Sequence, residues 1–196
     1  MSSSDDSCCW CCCCELLCKL VGLVVSIGIT ILIWWLIFQP RLPRAIVEEI
    51  RLSNFNLTDS STVLRFNLTV RLALRNPNKR VRIYYDSLEA AVLYHGMHLQ
   101  STPLPPFFQH TKSTAALPAE FGGRAADAGP VAAFYGTEKS QGRYNFEVKL
   151  DARLRMKLGI IKIGHFKPKF DCKVEIAAPQ GGGGLSVSMG TWACDR

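Results

Sequence analysis

From residue 64 to residue 75 apolar and polar side chains alternate without a break. Leu64, Phe66, Leu68, Val70, Leu72 and Leu74 fall on one face, and Arg65, Asn67, Thr69, Arg71, Ala73 and Arg75 on the other. The same period of two returns at Tyr144, Phe146, Val148, Leu150, Ala152, Leu154 and Met156, and again at Phe170, Cys172, Val174 and Ile176. Alternation of this kind predicts strands with one buried and one wet face, as in antiparallel sheets. Further strands are expected over 46–57, 81–85, 88–94, 107–117 and 185–192. Turn residues separate them: Asn76-Pro77-Asn78-Lys79, Tyr94-His95-Gly96, Ala178-Pro179 and the glycines 181–184. Seven or eight strands so spaced predict an all-β, antiparallel sandwich. The Ala- and Gly-rich stretch 122–136 has room for one short helix at its edge.

A different pattern precedes the strands. Leu20 to Phe38 is a run of nineteen uncharged residues, mostly Ile, Leu and Val. As a helix it would be about 28 Å long, near the hydrocarbon thickness of a bilayer. Trp34 and Trp35 lie near one end and Lys19 at the other, where indole rings and a snorkelling ammonium suit the interface. Pro40 and Pro43 follow and stop helix propagation. A cleaved signal peptide would have a shorter apolar core and a small-x-small cleavage site, and Gln39-Pro40-Arg41-Leu42-Pro43-Arg44 offers none. The expected organisation is a head over 1–19, a single membrane span over 20–38, a linker over 39–45 and a sandwich over 46–196.

Charge and cysteine usage divide along the same boundary. The chain of 196 residues carries a formal charge of +7; Asp5, Asp6, Glu15 and Lys19 give the head −2, which leaves +9 beyond the span. A basic module favours acidic partners, which could be anionic lipid headgroups, acidic polysaccharide or nucleic acid. Nucleic acid is not expected, because no zinc-finger spacing, recognition-helix pattern or aromatic RNA-binding signature accompanies the charge. Seven of nine cysteines crowd the head, as Cys8, Cys9, Cys11, Cys12, Cys13, Cys14 and Cys18. Juxtamembrane cysteines are candidates for S-acylation, with free thiols and a zinc site as the other readings.

Orientation is argued from both sides of the span. Asn56-Leu57-Thr58 and Asn67-Leu68-Thr69 are glycosylation sequons, usable only if the sandwich enters the secretory lumen. Cys172 and Cys194 are a candidate disulfide, which also requires an oxidising compartment, although Cys172 equally suits a small buried apolar position. Arg41, Arg44 and Arg51 follow the span and oppose this under the positive-inside rule. Sequons and cysteine usage together favour a cytoplasmic N-terminus and an extracellular sandwich.

The block Asn76-Pro77-Asn78-Lys79-Arg80, followed by Ile83-Tyr84-Tyr85-Asp86, resembles a hallmark of the plant harpin-induced and non-race-specific-disease-resistance-like family. Lys167-Pro168-Lys169-Phe170-Asp171-Cys172 is similar as well, and the resemblance runs over head, span and outer domain. It implies a late embryogenesis abundant group 2 module, an immunoglobulin- or fibronectin III-like sandwich, on a plasma-membrane protein of defence and stress responses. It implies no enzymatic activity. The ending Thr191-Trp192-Ala193-Cys194-Asp195-Arg196 lacks the hydrophobic tail that directs a glycolipid anchor. On physical grounds Asn76-Pro77-Asn78 suits a tight turn, Tyr84 and Tyr85 should take opposite faces of a strand, and Asp86 is placed to cap the turn after it.

Catalytic chemistry is not expected, nor is a cofactor or a metal. His95 and His98 form an H-x-x-H pair without further ligands, His165 and Cys172 come with no oxyanion-forming motif, and the glycines 181–184 lack the Lys-Ser/Thr of a phosphate loop. Arg65, Arg71, Arg75, Lys79, Arg80 and Arg82 are the candidates for a basic binding face. The competing function, lipid binding or transfer by a membrane-tethered sandwich, would require a continuous apolar cavity.

Overall fold

In the computed structural model, which describes residues 6–38, 41–58, 63–179 and 184–195, the chain forms two compact units divided between Pro40 and Arg41. The first is one helix, α1 (Asp6–Phe38), of 33 residues and about 50 Å. It begins well before the apolar run, because residues 6–19 hold no Gly or Pro and an ion pair between Glu15 and Lys19 (2.7 Å) braces adjacent turns. The cysteine-rich segment is therefore a helical extension of the apolar run. The Cys18 thiol is free and exposed; the side chains of Cys8, Cys9, Cys11, Cys12, Cys13 and Cys14 lie outside the described residues. So do the linker residues 39–40 and most of the glycine run, 181–183.

Among its described residues the second unit contains ten strands in two antiparallel sheets. The strands are β1 (Arg44–Leu57), β2 (Leu64–Arg75), β3 (Val81–Tyr94), β4 (Met97–Leu104), β5 (Phe107–Gln109), β6 (Thr114–Ala125), β7 (Arg143–Leu158), β8 (Ile161–Phe166), β9 (Lys169–Ala177) and β10 (Ser186–Ala193). One sheet has the order β10-β1-β2-β6. The other runs β4-β3-β7-β8, with β5 also paired to β3 and β9 to β7. The alternating residues of β2 and β7 supply the shared core: Leu64 to Leu74 and Tyr144 to Met156 turn inward against Val47, Ile50, Ile83, Val92, Phe121 and Val174. The fold is the expected antiparallel sandwich.

Several elements differ from the pattern-based expectation. β3 is one strand of 14 residues instead of two, because the polar pair Asp86-Ser87 is absorbed by a bulge opposite β7 between Tyr85 and Ser87. The expected strand over 107–117 is broken by the turn at 110–113, and β6 then continues to Ala125 with Leu117, Ala119 and Phe121 inward. The helix consequently lies later, at α2 (Gly129–Gln141), framed by Pro130 in its first turn and Gly142 in a left-handed cap (φ 73°). β4 and β8, not expected as strands, have largely exposed or half-buried positions and so carry little alternation.

Both margins of the sandwich are tied across. On one side Thr102 Oγ1 of β4 donates to the Glu120 carbonyl of β6 (3.0 Å), and Gly122 N–H donates to Gln100 Oε1 (2.7 Å). On the other, Asp171 of β9 forms a backbone bridge with Asp195, and Cys172 is disulfide-bonded to Cys194 with Cα atoms 4.2 Å apart. Such ties leave less free strand edge for pairing with other chains.

Candidate functional site

The chain enters the sandwich through a network of buried amides. Asn76 is fully buried and satisfies all of its hydrogen-bonding capacity. Its Nδ2 donates to the carbonyls of Val81 and His110 (both 2.9 Å), and its Oδ1 accepts from the backbone N–H and the Nδ2 of Asn78 (both 3.0 Å). Asn78 in turn brackets Arg41: Oδ1 accepts from Arg41 N–H at 2.8 Å and Nδ2 donates to Arg41 C=O at 2.6 Å. Lys112 N–H donates to Asn78 C=O (3.0 Å), which draws in the 110–113 turn. The Asn-Pro-Asn block is thus a buried clamp joining the entry segment, the β2–β3 turn and the β5–β6 turn.

Tyr84 and Tyr85 do take opposite faces. Tyr85 is buried, stacked on Phe107 (4.5 Å), and donates to Gln109 Oε1 (3.1 Å); burial pushes its hydroxyl pKa up. Gln109 Nε2 then donates to the carbonyls of Leu74 (2.6 Å) and Ser113 (3.0 Å). Tyr84 lies outward against Phe108 (4.7 Å), with Lys157 Nζ 4.7 Å from its ring centre. Asp86 caps no turn. Because β3 runs on through the bulge, its carboxylate instead receives both Nε and Nη2 of Arg155 on β7.

At the opposite end α2 is fastened by a buried carboxylate that the sequence did not disclose. Glu138 accepts from Tyr94 OH (2.7 Å), Asn145 Nδ2 (2.7 Å) and Asn145 N–H (3.3 Å), and lies 2.9 Å from His95 Nε2. Burial opposes its ionisation, but the hydrogen bonds from Asn145, Tyr94 and His95 outweigh it and hold the carboxyl below the usual glutamate value. Tyr94 is pushed up, first by burial and then by the carboxylate beside it. Val131, Tyr135 and Glu138 are the buried positions of the helix, and Phe55 packs against Tyr94, Tyr135, Tyr144 and Phe146 at ring distances of 4.6–5.6 Å. The signal for Glu138 was hidden because Thr137-Glu138-Lys139 reads as an ordinary solvated turn of helix.

The remaining sequence candidates fall in separate places. His95 and Gly96 form the β3–β4 turn with positive φ (47° and 80°); His95 faces Glu138, while His98 pairs with Ser101 Oγ (2.9 Å). No group of three or more His, Cys, Asp or Glu is placed to hold a metal among the described residues. Asn56 and Asn67 are exposed on β1 and β2. Asn56 Oδ1 lies 3.4 Å from Tyr135 OH.

The six basic candidates do not make one face. Arg65 pairs in register with Arg124 at one end of β2, and Arg71 lies 3.7 Å from the buried Glu49, which also binds Arg51 (2.5 Å). Arg75, Lys79, Arg80 and Arg82 instead collect around the Asn76–Asn78 clamp, all exposed. Two cavities of about 410 and 370 Å³ open on the sandwich; both have charged walls, Glu147, Lys173 and Glu175 in one and Glu89, Asp151, Arg153 and Lys169 in the other.

A family profile described as late embryogenesis abundant protein matches residues 71–174, more than half of the chain. NDR1/HIN1-like protein 10 of Arabidopsis thaliana is 37% identical over 175 residues, spanning 88% of this chain and 74% of that protein. The chain belongs to the NDR1/HIN1-like late embryogenesis abundant proteins. NDR1/HIN1-like protein 3 of the same plant is 33% identical over 80% of this chain and 69% of its own length. The solution structure of another Arabidopsis thaliana protein overlaps 73% of this chain and 86% of its own at 16% identity, with a TM-score of 0.45. Within this family α1 is a candidate membrane anchor: Leu17–Trp34 has a mean hydropathy of 2.3 and is wholly exposed.

Proposed function

We propose that this protein is a non-enzymatic, single-pass plasma-membrane protein of plant defence and stress responses. Its cysteine-rich head is cytoplasmic and S-acylated, and its glycosylated sandwich is extracellular. The sandwich acts by association, its cationic surface binding an acidic wall polysaccharide, the membrane or a membrane-protein partner. One observation carries the reading: an 18-residue apolar window, unburied by anything in its own chain, is joined to a basic sandwich. In water that exposed area would be strongly unfavourable, and in a bilayer it is matched. The polar side chains best placed for chemistry, Glu138, His95 and Asn145, are spent on one another and on Tyr94. A lipid-transfer role finds less support in the two cavities described above, whose walls are charged.

The test is alkaline carbonate extraction of membranes from plant cells expressing the full chain. The protein should stay in the pellet and be released when Ile27 and Ile31 are both changed to Arg. Release of the unaltered chain would refute the anchor.

A further inference from the structure

Turns at strand ends ordinarily take Gly, Asn, Asp, Pro or Ser. The β7–β8 hairpin breaks this rule. Gly159 takes the left-handed conformation (φ 58°), and the next two residues are isoleucines, Ile160 at 99% exposure and Ile161 at 51%. Two adjacent β-branched apolar side chains at a hairpin tip gain nothing from the core, and they project from a rim of lysines, Lys157 and Lys162, which pair across the hairpin.

The topology says where this tip lies. Arg41 is bracketed by Asn78, Asn78 is bonded to Asn76, and Asn76 Nδ2 binds the carbonyl of Val81 at the start of β3. Val81 pairs with Leu158, the last residue of β7, and the hairpin tip follows at once. The isoleucines therefore share one end of the sandwich with the point of chain entry. In the sequence Arg41 comes three residues after Phe38, the last residue of α1. The same end carries exposed Arg41, Arg75, Lys79 and Arg82. Of the acidic groups near it, Asp86 is paired with Arg155.

We propose that this end of the sandwich docks on the surface of the bilayer that α1 crosses. Ile160 and Ile161 insert at the headgroup–acyl boundary, while Lys157, Lys162, Lys79 and Arg82 meet anionic phosphates. An apolar tip within a cationic rim is the chemistry of an interfacial membrane contact. The assignment rests on the reading of α1 as a membrane anchor, and it makes the sandwich a surface-seated module with its opposite end, at α2 and the His95–Gly96 turn, left free for partners.

The experiment is amide hydrogen exchange on the full chain in nanodiscs containing phosphatidylserine, compared with detergent micelles. Exchange over 158–163 should slow about tenfold or more in nanodiscs, while the His95–Gly96 turn is unchanged. The double substitution Ile160→Asp and Ile161→Asp should abolish the slowing while the protein stays embedded and Asn76 and Asn78 stay protected. Equal exchange in nanodiscs and micelles, with the chain still embedded, would overturn the docking and leave the anchor standing. A slowing in nanodiscs that survives the double substitution would likewise overturn it. Release of the whole chain from nanodiscs on alkaline extraction would remove the anchor reading and the docking together.

Discussion

The carboxamide of Asn78 holds the backbone of Arg41 in both directions, accepting its N–H at 2.8 Å and donating to its C=O at 2.6 Å, across 37 residues of sequence. It thereby imitates a neighbouring strand for a segment that has none. Replacing Asn78 by Asp removes the donor and places a negative charge against the Arg41 carbonyl. Replacement of Asn78 by Ala should cost about 1–3 kcal/mol through the buried groups left unpaired, and Asp no less. Chemical denaturation of the full chain in detergent checks this, with exchange at Arg41 N–H expected to rise most.

How much of this was legible beforehand differs by element. β2, β7 and β9 were read directly, because one face of each is buried along its whole length and the period of two is uninterrupted. β4 and β8 were not, because edge strands with few buried positions need no alternation. Asp86 misled for a related reason: a polar pair inside a strand looks like a turn until a partner such as Arg155 is seen opposite. The Asn76-Pro77-Asn78 turn was evident, but its grip on Arg41 and Lys112 depends on contacts 34 or more residues distant. Glu138 gave no sign at all, since its burial comes from strands that precede and follow α2.

Glu138 makes stability depend on acid in a defined direction. Its native pKa is lowered, so its contribution is complete above the ordinary value of 4.5 and is lost as pH falls through the native pKa. Glu138→Gln keeps the shape but sets an amide N–H against the donors of Asn145. The substitution should destabilise the sandwich by about 1–3 kcal/mol at pH 7. The gap between the variant and the parent should narrow below pH 4.5. Thermal melts of both proteins across this range give the comparison, and a gap constant with pH would exclude the carboxylate as the cause.

The Cys172–Cys194 bridge closes a separation of 22 residues and ties the edge of one sheet to the end of the other. By the chain-entropy relation a loop of this size is worth about 3 kcal/mol. Cys194→Ser should lower stability by about that much under oxidising conditions and have no effect under reducing ones. Denaturant unfolding with and without reductant measures it. Exchange should rise first at Asp171 and Asp195, whose mutual hydrogen bonds flank the bridge.

Arg41, Arg44 and Arg51 oppose an extracellular sandwich under the positive-inside rule, yet Arg41, together with Arg75, also belongs to the cationic end from which the Ile160–Ile161 tip projects. A role at the headgroups accounts for their charge whichever leaflet they face. Orientation is therefore decided by chemistry that only one compartment performs. Asn56 and Asn67 are exposed on β1 and β2. Glycosidase digestion of the full chain expressed in plant cells should increase its electrophoretic mobility. The double substitution Asn56→Gln and Asn67→Gln should remove that change. A chain that shows no shift, and whose sandwich resists protease added to intact cells, would contradict the extracellular placement on which the proposed function rests.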